Sequence, residues 1–137
     1  MITQLLVDEG RYLFTGDAGV EALERAADYG ELHHSITPLR LMQSPHHGSR
    51  HNIGPDILDR LVGPKGGCSG TVAYISAAKD SEKHPSRKVT NAFNRRGVNV
   101  YVTNGVTLGH GVGAPRRPDW GPATPEPFRP MVENDDD

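Results

Sequence analysis

An α/β layered unit is what the amino-acid sequence predicts, on three observations. Strand-like and helix-like stretches alternate along it, a glycine closes each helix-like stretch, and the pattern stops near residue 113. Ile2 to Val7 reads as a strand, Asp8-Glu9-Gly10 as a tight turn and Tyr12-Leu13-Phe14 as a second strand, which together form a hairpin. Val20 to Tyr29 places apolar residues at 20, 23, 26 and 27 with Glu21, Glu24 and Arg25 between them, the spacing of an amphipathic helix, and Gly30 stops it. Leu39, Leu41 and Met42 form a short buried strand that ends at Ser44-Pro45. Gly54-Pro55 opens a second helix with Ile57, Leu58, Leu61 and Val62 on one face, closed by Gly63-Pro64.

Thr71 to Ile75 is the clearest strand. Ser86 reads as the N-cap of a third helix that carries Val89, Ala92 and Phe93 and ends at Arg96-Gly97. Val98 to Val102 is a strand by alternation and β-branching, and Val106 to Leu108 is expected to pair back as a last hairpin strand. The order is hairpin, then alternating helices and strands. Residues 1–112 form the domain, and 113–137, rich in proline and ending in Asp135-Asp136-Asp137, form a disordered or loosely draped tail.

A chain of 137 residues is one domain or part of one. Hydrophobic residues make up 35%, and the mean hydropathy of -0.55 is polar, much of it in turns and tail. A net charge of -2 gives no global basic field, so any anionic ligand has to be held locally. No apolar run approaches the roughly 18 residues that a membrane span needs, and the start lacks the basic and apolar segments of a signal peptide. The piece itself reads as soluble, with cytoplasm the favoured compartment and a place in a larger membrane protein left open. Lone Cys68 excludes an intrachain disulfide and a cysteine-built zinc site.

Three loops that follow predicted strands carry metal-capable groups. Thr15-Gly16-Asp17 delivers a carboxylate either to a metal or to the N-cap of the next helix. Pro45-His46-His47-Gly48-Ser49-Arg50-His51 sets three histidines within six positions, a density that packing seldom explains in a loop and that fits metal or catalytic duty as well as a surface cluster. His84-Pro85-Ser86 presents a further imidazole, which caps or fills space if it has no chemical role. His33 and His34 fall in the connector after the first helix and read as solvated, and His110 receives no role. Arg50, Arg87 and Lys88 either attract phosphate or form a solvated face.

Taken in order, Leu-Phe-Thr-Gly-Asp, Pro-His-His-Gly-Ser, a strand ending in Ile-Ser, His-Pro-Ser and Gly-Val-Asn-Val-Tyr-Val-Thr resemble the metallo-β-lactamase-fold hydrolases. Within them the sequence is most similar to the C-terminal hydrolase domain of ComEC-like DNA-uptake competence proteins. The resemblance spans roughly residues 1–110 and implies half of a metallo-β-lactamase αββα sandwich. It implies that Asp17 bridges two divalent metals and that His46 is a ligand of the second, with His47 able to exchange places with it. Gly48 would let the loop pass close to the metals, Ser49 would bond a ligand or a substrate oxygen, and His84 would lie on the substrate side. His51 is a candidate substrate contact. The catalytic set implied is Asp17, His47 and His84. The cofactor implied is a pair of ions, zinc foremost with manganese or iron as alternatives, which together activate water for displacement at phosphorus.

The family's His-x-His-x-Asp-His segment, which supplies most of the remaining ligands, does not occur in this sequence. The expectation is therefore a C-terminal portion of a phosphodiesterase-like or nuclease-like hydrolase, inactive alone, that needs its N-terminal half or a partner chain. The alternative is a non-catalytic half-domain that serves as an interaction module, and direct DNA binding is a third reading. Half of a sandwich would also leave an apolar sheet face exposed.

Overall fold

The computed structural model describes residues 1–134. Five strands form one sheet in the order β1 (Thr3–Val7), β2 (Gly10–Phe14), β3 (Leu39–Gln43), β4 (Val72–Ile75) and β5 (Asn99–Val102). β1 runs antiparallel to β2, and the pairs β2–β3, β3–β4 and β4–β5 are parallel. Each parallel step crosses over through a helix: α1 (Val20–His34), α2 (Pro55–Val62) and α3 (Arg87–Asn94). The mixed α/β architecture follows from the strand-helix alternation in the sequence.

The turn between β1 and β2 has Asp8 and Glu9 both at positive φ, 47° and 60°, which matches the twist of a two-residue hairpin. Leu13, Met42, Ala73, Ile75, Val100 and Val102 point to one face and share a core with Leu23 and Ala27 of α1, Ile57, Leu58, Leu61 and Val62 of α2, and Val89 and Phe93 of α3. All three helices cover that face. Burying a leucine, isoleucine, valine or phenylalanine of this kind contributes about 1.5–3 kcal/mol each before the cost of ordering the chain.

The opposite face carries Leu5, Tyr12, Leu41, Val72, Tyr74 and Tyr101 in register across the sheet. No helix covers it. The segment after β5 crosses part of it: the Tyr74 hydroxyl donates to the carbonyl of Gly109 at 3.2 Å, and the His110 ring meets Tyr12 and Tyr74 edge to face. Toward β1 the cover ends, leaving Leu5 50% and Phe14 42% exposed.

Three sequence expectations are corrected. Gly30 does not end α1, which runs on to His34. Its missing side chain makes room for the guanidinium of Arg11, so the glycine answers a packing demand inside the helix. His33 and His34 consequently lie in the last turn of α1, beside the Tyr29 ring, and not in a connector. Val106 to Leu108 forms no strand, because Asn104 and Gly105 adopt positive φ and lead the chain across the open face instead of back along β5. The described part of the tail, 113–134, has no regular secondary structure and is draped on the body. The Glu126 amide donates to Val100 at 2.7 Å, and Asn91 of α3 exchanges two hydrogen bonds with the Arg129 backbone at 2.7 and 2.9 Å.

Candidate functional site

Because β2, β3 and β4 are parallel, the loops that leave their carboxyl ends, 15–19, 44–54 and 76–86, emerge on one edge of the sheet. These loops hold the residues singled out from sequence. They are tied to each other and to β3 by side-chain and backbone hydrogen bonds. The Thr15 hydroxyl donates to the Gln43 carbonyl at 2.7 Å, and the Gln43 side-chain oxygen accepts from the amides of Thr15 and Gly16 at 3.2 and 3.3 Å. The His46 amide donates to the Gly16 carbonyl at 2.9 Å, and the Ser86 amide to the Gly48 carbonyl at 3.1 Å.

The turn His46–Gly48 is locally strained. His46, His47 and Gly48 sit in succession at φ of 45°, 56° and 78°. The left-handed region costs a residue with a side chain of order 1–3 kcal/mol, and such strain collects where a side chain has to be aimed. Gly48 answers a tighter demand, since a Cβ there would lie 2.9 Å from Pro85 Cβ and 3.1 Å from Ile75 Cγ2. Its bareness lets the 44–54 loop nest against β4 and the His84-Pro85 segment.

The nesting gathers three imidazoles. The ring centroids of His46, His47 and His84 form a triangle with sides of 6.0, 6.2 and 6.4 Å. His47 Nδ1 lies 2.7 Å from the carbonyl of Ser76, which can only accept, so Nδ1 carries a proton and Nε2 is the nitrogen left to face a ligand. Burial, and then the neighbouring His46, His47 and Lys83, hold the His84 imidazole below its ordinary pKa, which favours the neutral ring. Its Nδ1 is buried and has no hydrogen-bond partner among the described residues.

His46, Ser49, His51 and His84 line one cleft of about 690 Å³. Ser49 is buried and its hydroxyl accepts the His51 amide at 3.3 Å, so it braces its own loop. His51 is exposed at the cleft. Asp17 is exposed on the adjoining loop, and the N-cap of α1 is Gly19, so the capping reading of Asp17 is set aside. Ser86 occupies the N-cap of α3 with extended backbone, yet its hydroxyl makes no cap bond to that helix. It donates to the carboxylate of Glu133 at 3.3 Å.

The donor chemistry of three imidazoles and a nearby carboxylate suits a divalent ion, but the count and convergence do not suffice. Among the described residues, no three His, Cys, Asp or Glu side chains come together closely enough to hold one. Two participants lay outside the sequence reading. Gln43 stands at the end of an apolar strand, where an amide before Ser-Pro was a usable signal for a loop latch. Glu133 lies in the proline-rich tail and gave no local signal. No family model, curated protein or solved structure matches the chain, and none of its helices is long and apolar enough to cross a membrane among the described residues.

Proposed function

We propose that the chain is the C-terminal portion of a metal-dependent hydrolase of the metallo-β-lactamase superfamily, acting on phosphodiesters, and that it supplies one bank of the metal site. The observation that carries this reading is the triangle of His46, His47 and His84 on the strained turn, with the Asp17 loop bonded beside it. The left-handed backbone of His46 and His47 fits side chains aimed for a purpose, and since it also occurs at Asp8, Glu9, Asp80, Asn104 and Asp119, the gathering of the three rings carries the reading. In this reading Asp17 and His46 bind the metal, His47 presents Nε2, and neutral His84 faces the substrate. A bound divalent ion, whether zinc, manganese or iron, supplies Lewis acidity toward water and a phosphoryl oxygen. The remaining ligands come from a further segment or a partner chain. The apolar sheet face favours this, since a contiguous exposed patch of that kind usually marks a surface that another element covers.

The same face supports the second reading, a non-catalytic half-domain that docks on a partner. One experiment separates the two. The protein is tagged at its chromosomal locus and isolated with whatever it is joined to, and metal content and hydrolysis of bis(p-nitrophenyl) phosphate are measured. The hydrolase reading expects bound metal that falls in Asp17→Ala and His46→Ala, with hydrolysis reduced at least about 100-fold. Unchanged metal content in both variants would refute the ligand assignment. A metal-free, inactive complex would favour the interaction module.

A further inference from the structure

The tail of the chain supplies part of the wall of the histidine cleft. Glu133, 45 or more residues beyond the elements it touches, places its carboxylate over the start of α3. One oxygen accepts the Arg87 amide at 2.6 Å, and the other accepts the Lys88 amide at 3.4 Å and the Ser86 hydroxyl at 3.3 Å. Arg87 Nη1 donates to the Met131 carbonyl at 3.4 Å and Arg50 Nη1 to the Asn134 carbonyl at 2.9 Å, so two guanidiniums grip the same tail. Glu133 lines the cleft together with His46 and His84, the latter with its buried, unpartnered Nδ1. Further back, the Asn91 pair and the Glu126 amide fasten the tail to α3 and β5.

The donors that hold this carboxylate are those an oxyanion would use: two backbone amides at a helix start, a hydroxyl and cationic side chains nearby. We propose that residues 126–134 form a strap along α3 that ends at the rim of the histidine cleft, with Glu133 seated where an oxygen of a phosphate-bearing ligand binds once the strap lifts. The choice of phosphate rests on the function proposed above; the strap itself rests on the contacts. Anchoring at Asn91 and Glu126 keeps the displaced end tethered, so the carboxylate competes at a high local concentration and a ligand has to displace it. The charge of the Glu133 carboxylate is opposite to that of Arg50, Arg87 and Lys88.

Phenyl phosphate titrated into the full chain, followed through the amide resonances of Ser86, Arg87 and Lys88, tests this. Glu133→Gln, and separately removal of residues 130–137, should tighten phenyl phosphate binding at those amides by about tenfold or more, because the competing state is withdrawn. Glu126→Gln removes a tail charge away from the cleft and should leave the affinity unchanged. Equal affinity in wild type, Glu133→Gln and the shortened chain overturns the strap. So does binding that tightens equally in Glu126→Gln, which reports only charge, or phenyl phosphate that never perturbs residues 86–88. Tightened binding in a completed assembly that still hydrolyses no phosphodiester leaves the strap standing and removes the hydrolase reading.

Discussion

Arg96 and Asp59 join α3 to α2 through a guanidinium that is only 1% exposed. Arg96 Nε donates to Asp59 Oδ1 at 2.8 Å, and Nη2 lies 2.6 Å from the same oxygen. Nη1 also donates to the carbonyl of Ala92 at 2.7 Å and Nη2 to that of Pro55 at 3.2 Å. The two partners differ, since the Asp59 side chain is half exposed and can be hydrated alone, whereas the guanidinium cannot. Asp59→Ala strands a buried charge and should cost about 3 kcal/mol in urea denaturation, with Asp59→Asn losing less because it still accepts a hydrogen bond. A loss under about 1 kcal/mol for Asp59→Ala would show that the two carbonyls suffice.

Gly48→Ala brings together a positive φ and a Cβ pressed on Pro85 and Ile75. The expected cost is about 2–3 kcal/mol, accompanied by displacement of the His46 and His47 rings. Histidine ring resonances that stay in place in a stably folded Gly48→Ala chain would contradict the nesting of the loop against the His84-Pro85 segment.

The Glu133 carboxylate loses solvation on docking, which works to raise its pKa. The amides of Arg87, Glu133 itself and Lys88 and the Ser86 hydroxyl outweigh that effect and hold it below the usual carboxylate value. A depressed folded-state pKa stabilises docking fully above the ordinary carboxylate range, and that stabilisation is lost as pH falls through the depressed value. Acidification should therefore release residues 130–134 while the sheet stays folded, read from heteronuclear relaxation of the tail amides. Arg50, Arg87, Lys88, Glu82, Lys83 and the cleft histidines share these surroundings, so Glu133→Gln isolates the response. A release curve identical in that variant would assign it to the neighbours.

Leu5 and Phe14 lie on the uncovered side of the sheet. Leu5→Ser and Phe14→Ser should change stability by no more than about 0.5 kcal/mol each and should reduce binding of a hydrophobic dye. A loss comparable to that of a core substitution, about 2–5 kcal/mol, would place these side chains inside a packed interior.

The succession of strands and helices was legible because apolar periodicity is a local property: Ile57, Leu58, Leu61 and Val62 announce α2 without reference to anything else. The three histidines were legible for a related reason. Each follows a short apolar strand, and parallel pairing then delivers those loops to one edge. What escaped depended on a partner far along the chain. Gly30 looks like a helix stop until Arg11 is seen to need its space. Arg96 looks like a surface residue at a helix end until Asp59, Ala92 and Pro55 surround it. Glu133 belongs to a segment whose composition signals disorder, and only its docking on α3 gives it a place.

The strand order follows the chain order without exception, each strand lying beside the one made just before it. Such a sheet needs no late insertion between strands already paired, so it can assemble while the polypeptide is still being synthesised. Once residues up to Ile75 have emerged, the hairpin and two parallel additions can be in place, with β4 as the template for β5. Each parallel addition still has to close a helical crossover, 15–38, 44–71 and 76–98, before its pairing stabilises, so the sheet grows stepwise and more slowly than a bundle of local contacts would.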